Sequence, residues 1–287
     1  MKIVTHDSRF HTDDVFAVAT LLLAIGDAEV VRSRDPEVQA TADYLVDVGL
    51  KYDPRKYFFD HHQIEGAGMR GNGIPYASFG LVWKEYGEAL SGGKKEAQII
   101  DERLVQAIDA NDNGVATEVD KFENIIKYSI GDFLGSFIEH KDPEHLYEVF
   151  MKVVDIAKGL LTREINRAKK IVGDEAKLGS YYDASRDKRL IILEEDLAGW
   201  KDFLIQKHEV LYVVHPRPDG KWTVSTMQDK MYSSRKSLPS LWGGLNDGEL
   251  QKVTGVSDAL FCHRTLFMAT AKSKEGAAAL AEKALNA

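Results

Sequence analysis

The chain has 287 residues, of which 44% are hydrophobic and 29% charged, and a formal net charge of −8. That composition gives ample apolar material for a core, most often split over two domains, and excludes a disordered or low-complexity chain. The acidic balance argues against a protein that coats long nucleic acid, which shows a basic footprint, but a local basic patch is enough for a nuclease acting on short ends.

Cys262 is the one cysteine, so no intrachain disulfide forms, which favours a reducing compartment. The sequence starts directly in a strand-like run, with no basic region followed by an apolar stretch. No signal peptide is expected. The longest apolar stretch, Val15 to Ile25, is too short to span a bilayer. A soluble, cytoplasmic protein is expected.

In chain order, Lys2–Thr5 predicts a short strand. Thr12 reads as the cap of a helix running to about Ile25, with Asp13 and Asp14 in its first turn and Gly26 as its stop. Glu29–Arg32 and Tyr44–Val48 predict two more strands, and Tyr57-Phe58-Phe59 is a further apolar run. Residues 63–75 hold Gly66, Gly68, Gly71 and Gly73 and read as a mobile loop. Helices are expected from about Tyr76 to Leu90 and from about Lys95 to Ala110. Strands alternating with helices imply an α/β domain with a mostly parallel sheet.

From Pro143 to about Leu178 apolar residues recur at helical spacing, which suggests a long connector. Strands are then expected at Leu190–Leu193, Val210–Val214, Lys221–Met227, Ala259–Cys262 and Leu266–Ala271, with a final helix at Lys274–Leu285. The expected organisation is a metal-binding domain over 1–140, a helical connector over 141–179 and a smaller, substrate-binding α/β domain over 180–287.

The chemistry-bearing residues follow the apolar runs. His6 follows the first, Asp47 lies at the end of the third, and Asp60-His61-His62 follows Phe59. His11 and Asp13 open the first helix. Ligands at the carboxyl ends of adjacent parallel strands converge on one crevice. Mixed imidazoles and carboxylates suit divalent transition metals, Mn²⁺ above all, with Mg²⁺, Zn²⁺ or Fe²⁺ as alternatives. Asp47 is the candidate bridge, since a carboxylate can hold two ions about 3.5–4 Å apart. His6 and His11 would complete one site, Asp13 and His61 the other. A further acid comes from Asp109 or Asp112, which the sequence does not separate. Taken singly, each of these is more often a helix cap or surface carboxylate. Together they read as a hydrolytic metal centre, with Asp47 at the heart of catalysis.

His62 follows a ligand and points elsewhere, so it is assigned to a substrate phosphoryl oxygen or to protonating the leaving group. Asp60 would orient a neighbouring histidine rather than bind metal. His263 and Arg264 at a strand end in the second domain could clamp a phosphate. Arg235 and Lys236, near Tyr232 and Trp242, could receive a phosphate or a base, though a solvated loop is as good a reading. Arg70, in the glycine loop, could close over substrate.

These residues carry a resemblance. Asp60-His61-His62, with His6, Asp13 and Asp47, is similar to the DHH phosphoesterase superfamily. Within it the chain resembles the melanocyte-proliferating-gene family, described as uncharacterised metal-dependent hydrolases. The matching segments are THDSRFHTDDVFA at Thr5–Ala17, RSRDPE at Arg32–Glu37, VDVG around Asp47, YDPRKYFFDHHQ at Tyr52–Gln63, IDANDNG at Ile108–Gly114, and later RKSLP, LWGGL and FCHRTLF. The resemblance implies a two-domain, DHH-type hydrolase of phosphoester or phosphoanhydride bonds that uses two Mn²⁺ ions. For the named family it implies a 3′-to-5′ exonuclease acting on RNA, with single-stranded RNA cut through a metal-activated water as the expected reaction. Separately, the site is expected between the two domains, since domain interfaces favour ligand clefts. The resemblance places His6 and His11 at one metal, Asp13 and His61 at the other, and Asp47 between them. The chain departs from the superfamily where His11 stands in place of the first of two aspartates, one residue further from His6. That favours softer ions. The alternatives are a hydrolase of dinucleotides, nucleoside phosphates or polyphosphate, a protein hydrolase as an older family label has it, and a non-catalytic metal-binding module. No residue here favours a peptidase, and no membrane partner is expected.

Overall fold

The structure, a computed structural model, describes residues 1–115, 128–230 and 233–287. The chain divides into two compact units, Met1–Lys169 and Lys170–Ala287.

The first unit is built on five strands: β1 (Lys2–Thr5), β2 (Glu29–Arg32), β3 (Tyr44–Val46), β4 (Tyr52–Asp53) and β5 (Phe58–Phe59). Their order across the sheet is β2-β1-β3-β5-β4. β1 pairs in parallel with both β2 and β3, and β3 with β5, while β4 closes one edge antiparallel to β5. Ile3, Val4, Val46 and Phe59 are fully buried. That is why these strands read as continuous apolar runs rather than alternating ones. The chain leaves β1 for β2 on one side and returns to β3 on the other. A crevice therefore opens at the carboxyl ends of β1 and β3, and every strand-borne ligand candidate lies there.

Helix α1 (Thr12–Ile25) is buried on nearly all sides through its first half and carries the core of the unit. Its cap differs from expectation. His11, not Thr12, is the capping residue, and its N–H donates to the Asp14 carboxylate at 2.8 Å. A short α2 (Pro36–Gln39) follows β2. Helix α3 (Ser78–Ser91) starts two positions later than expected, and its first N–H groups are taken by carboxylates from elsewhere. Asp13 accepts from Ser78 N–H (3.0 Å) and Phe79 N–H (2.7 Å), and Asp109 from Gly80 N–H (3.0 Å). The positive end of α3 thus receives two buried carboxyl groups.

The single helix expected over Lys95–Ala110 is resolved into α4 (Lys94–Ile100), a wide-turned π segment (Asp101–Val105) and α5 (Gln106–Asp112). The wide turn lets Asp101 and Asp109 both reach Arg70. After α6 (Ile130–Gly135), α7 runs unbroken from Pro143 to Ala184, past the expected end. Phe150, Val153, Val154, Ala157 and Leu161 face the first core. Leu178 belongs to an apolar cluster of the second unit.

The second unit holds β6 (Leu190–Ile192), α8 (Trp200–Ile205), β7 (Tyr212–Pro216) and β8 (Trp222–Thr226). A small β9–β10 pair (Gln228–Lys230 with Ser233–Ser234) precedes α9 (Asp247–Thr254). β11 (Ala259–Cys262), β12 (Met268–Ala271) and α10 (Lys274–Asn286) complete it. The sheet order is β11-β12-β8-β7-β6. Only β6 and β7 pair in parallel. β12 starts two positions later than expected, because Leu266 takes a left-handed backbone (φ 63°) in the turn before it. Tyr232 lies outside the described residues. The chain is thus an α/β protein, mostly parallel in its first unit and mostly antiparallel in its smaller second one.

Gly80 is where α3 meets α5. A Cβ there would stand 1.8 Å from Asp109 Oδ2 and 2.9 Å from Arg70 Nη2. Gly80→Ala is expected to destabilise the first unit by about 1–3 kcal/mol, as overpacking does, visible as a lowered melting temperature. A melting curve that overlays the parent's would show that the junction can relax.

Candidate metal centre

His6 leaves β1 with its ring fixed. Nδ1 lies 2.8 Å from the Asp7 carbonyl. A carbonyl only accepts, so Nδ1 carries the hydrogen and Nε2 turns inward. There it lies 3.1 Å from Asp14 Oδ2 and 3.3 Å from Asp47 Oδ2. Asp47 follows β3 in a left-handed conformation, φ 55°, which aspartate tolerates better than most residues. Its own N–H stays tied to the Phe59 carbonyl (3.0 Å), extending the ladder to β5. The turn presents the two carboxylate oxygens to different neighbours. Oδ2 faces His6. Oδ1 accepts from the Ser78 hydroxyl (3.0 Å) and lies 3.4 Å from His61 Nε2. His61 Nε2 is also 3.1 Å from Asp112 Oδ2.

Donor atoms therefore fall into overlapping groups, each within 4.8 Å: His6, His11 and Asp47; Asp47, His61 and His62; and Asp13, His61 and Asp112. Asp47 belongs to two of them. Asp13 and Asp14 are fully buried, and Asp47 nearly so. Burying carboxylates is costly unless positive charge accompanies them. His6 Nε2, Asp14 Oδ2, Asp47 Oδ2 and His61 Nε2 are all buried without a hydrogen-bond partner. Without a proton or cation between them, imidazole lone pairs would face carboxylate lone pairs. The donor set therefore fits divalent cations of the Mn²⁺ or Zn²⁺ type, with Asp47 able to serve two.

The acid–base balance of the metal-free cluster tells the same story. Burial works against an imidazolium at His6, yet the Asp14 and Asp47 carboxylates push it up to about 10. Burial likewise opposes charge at His61, and Asp112 and Asp47 raise it to about 11. Asp13 is driven well above the usual carboxylate range by burial and then by Asp47 and Asp112. Burial opposes the Asp47 anion too, but its histidine partners hold it below that range.

Of the other candidates, Asp112 and His62 join the cluster, His62 Nδ1 lying 3.5 Å from Asp47 Oδ1, and the rest fall elsewhere. Asp109 is absent from the donor groups. It is fully buried, ion-paired to Arg70 Nη1 at 2.7 Å and hydrogen-bonded to Gly80 N–H. Burial pushes it up to about 7 even though Arg70 opposes the shift. Asp112, one turn further along α5, is the acid that faces His61. Asp60 is a member of none of these donor groups but touches His62, which is. Its Oδ2 accepts from Leu50 N–H (2.6 Å), and its Oδ1 lies 2.8 Å from His62 Nδ1. His62 is half exposed and its pKa is raised, chiefly by that Asp60 contact. Arg70 is buried between Asp101 and Asp109 and stacks 4.2 Å over Tyr76. Its guanidinium pins the glycine loop to the helices rather than standing free to close on a ligand.

In the second unit Arg235 donates to the carbonyls of Ile205, Lys207 and Val210 and pairs with Asp229. Lys236 donates to the Leu285 carbonyl at 2.9 Å. Both side chains tie the unit together, and Trp242 is buried in its core. Arg264 is exposed, and His263 sits half-buried against Phe267, with ring centroids 4.6 Å apart. Asp14 was not among the expected ligands. Sequence reading places it in the first helical turn as a dipole partner, and one of its oxygens does cap α1. The other faces His6.

Residues 2–285 match the model of an "Uncharacterised protein family (UPF0160)", and the chain belongs to that family. It is similar to the MYG1 exonuclease of Homo sapiens, with 27% identity over 326 residues, covering 99% of this chain and 85% of that protein. It is 29% identical over 325 residues to an MYG1 protein of Schizosaccharomyces pombe, covering 100% of this chain and 98% of the relative. Among solved structures, RecJ in complex with Mg²⁺ from Thermus thermophilus aligns at 13% identity with a TM-score of 0.31, over 100% of this chain and 50% of its own. That likeness is too loose to argue from.

Two outcomes are expected at this cluster. Asp112→Ala should weaken Mn²⁺ binding sharply, whereas Asp109→Asn should act mainly on stability. Equal loss of affinity in both would mean that Asp109 is a ligand as well. Because neighbouring carboxylates push His6 and His61 up to about 10 and 11, each ring is expected to carry its second proton at pH 7. Mn²⁺ uptake should therefore release protons. Titration calorimetry in buffers of different ionisation enthalpy should give different apparent heats, and identical heats would contradict the charge balance.

Proposed function

We propose that this UPF0160 protein is a metal-dependent phosphodiesterase, working in the cytoplasm as a 3′-to-5′ exonuclease on single-stranded RNA. The observation that carries the hydrolase reading is Asp47, whose two oxygens face His6 on one side and His61 on the other. The RNA substrate and its polarity come from the family resemblance and from the exonuclease name of the human relative. No helix among the described residues is long and apolar enough to cross a membrane.

His6, His11 and Asp47, with Asp14 beside them, would hold one ion. Asp13, His61, Asp112 and the other oxygen of Asp47 would hold the second. Mn²⁺ is the first choice, with Mg²⁺, Zn²⁺ and Fe²⁺ as alternatives. When bound, such a pair lowers the pKa of a water towards neutrality and offsets negative charge on phosphorus. The protein's own groups do the rest. Asp47, locked by its left-handed turn and the Ser78 hydroxyl, keeps the two halves of the centre in register. Asp60 accepts from His62 Nδ1 and favours the protonated ring, leaving Nε2 to give a proton to the departing oxygen. Arg264 and His263 are the proposed phosphate contacts of the second unit.

A substrate panel with Mn²⁺ tests this: labelled single-stranded RNA and DNA, linear and cyclic dinucleotides, pyrophosphate and an aryl phosphodiester. Stepwise loss of 3′ nucleotides from RNA is expected, and Asp47→Ala should abolish it. The net charge of −8 also suits a small phosphoester. Cleavage of dinucleotides or pyrophosphate alone would replace RNA as substrate and keep the metal chemistry. A protein that binds no divalent metal and turns over nothing on the panel would end the reading. Arg264→Ala should raise KM more than it lowers kcat, since its proposed role is to hold phosphate.

A further inference from the structure

The run Arg32-Ser33-Arg34, at the carboxyl end of β2, takes no part in the chemistry above. Yet both arginines turn onto the backbone between His6 and His11. Arg32 is the last residue of β2 and Arg34 stands two residues beyond it, and both side chains reach the same loop. Ser33 N–H still bonds to the Thr5 carbonyl (2.8 Å), so the strand's ladder continues between them. Arg34 Nη1 donates to the Asp7 carbonyl at 2.7 Å and to Asp7 Oδ1 at 2.6 Å. Arg32 Nη2 donates to the Ser8 carbonyl at 2.9 Å.

The Asp7 carbonyl has a second donor, His6 Nδ1 at 2.8 Å. One oxygen is thus gripped by Arg34 and fixes the tautomer of a metal-facing imidazole. Ser8 stands at φ 66°, a conformation that serine rarely adopts. Its carbonyl is the one that Arg32 holds. The Arg32 guanidinium lies 4.7 Å over the Phe150 ring and 5.7 Å from that of Phe10, the residue next to His11. Among the described residues no carboxylate is ion-paired to it. An apolar side chain would pack between those rings as well. The Ser8 carbonyl is what calls for a guanidinium there.

We propose that Arg32 and Arg34 are positioning residues for the His6–His11 half of the metal centre. They grip the intervening loop at two consecutive carbonyls, and so set the tautomer of His6 and the reach of His11. The inference rests on the two-metal reading above. The opposite half, Asp13, His61 and Asp112, is held by α3 and α5 and makes no contact with either arginine. The consequence is selective: loosening the grip should weaken one ion and spare the other.

The test is Mn²⁺ titration of the full chain by calorimetry, with steady-state kinetics on bis(4-nitrophenyl) phosphate. Arg34→Gln, at an exposed position, should weaken one of the two binding steps by about 10–100-fold, as loss of an outer hydrogen bond to a ligand does. The other step should hold, and kcat should fall with KM little changed. Arg34→Lys keeps one donor for the Asp7 carbonyl and should recover part of the loss. Arg32→Met keeps the packing on Phe10 and Phe150 and should reproduce the one-site defect without lowering the melting temperature much. Equal weakening of both steps, or a change in KM alone, would overturn the grip. So would variants that bind both ions as the parent does, and that result would leave the metal reading intact. A parent protein that binds no Mn²⁺ would defeat both.

Discussion

The first unit is organised around one electrostatic problem: several buried carboxylates meet at the end of a parallel sheet. Asp13, Asp14 and Asp47 lie out of solvent, and Asp112 stands beside them. Each is handled differently. Asp13 is spread over two backbone N–H groups of α3. Asp14 gives one oxygen to the cap of α1. Asp47 leans on Ser78 and on histidines from two strands. What these contacts leave unsatisfied is directional, a set of inward-facing nitrogen and oxygen atoms. Neutral packing would not create such a set, and a stability-driven sequence would replace it with apolar side chains.

The fold answers this problem with rigid supports. The candidate ligands lie at strand ends and at the termini of α1 and α5, which hold position better than loops. The amino end of α3 serves both Asp13 and Asp109, and Gly80 is small enough to allow it. Asp109 is paired to Arg70 and to Gly80 N–H there. It couples Arg70, the glycine loop and α5, and α5 in turn carries Asp112 to His61. Arg70 and Asp109 are thus linked to the donor cluster by way of that helix.

Much of this is legible in the sequence. His6, Asp47 and His61 each sit just beyond a short apolar run, and the rule for parallel strands brings them together. The limits are equally physical. β4 and β5 are two residues each, too short for any periodicity. Asp109 and Asp112 share a helix, and only the π turn ahead of them decides which faces Arg70. An arginine in a glycine loop looks free because its partner Asp101 lies 31 positions away. Arg235 misleads in the same way, since its acceptors are backbone carbonyls that no side-chain pattern reveals. Asp14 reads as a helix-dipole residue and is one, but a carboxylate has two oxygens, and the sequence speaks for only the first.

The left-handed backbone at Asp47 has a bearing on how this position can vary. Two filters act there at once, one on shape and one on charge. Glutamate keeps the charge but tolerates the turn less well and reaches too far. Glycine keeps the turn and loses the carboxylate. Asparagine satisfies the backbone and keeps the side chain's shape while cancelling the anion. Asp47→Asn is therefore the natural silent mimic of this centre: a protein shaped like the parent, with its central charge erased, suited to capturing an intact ligand for crystallography.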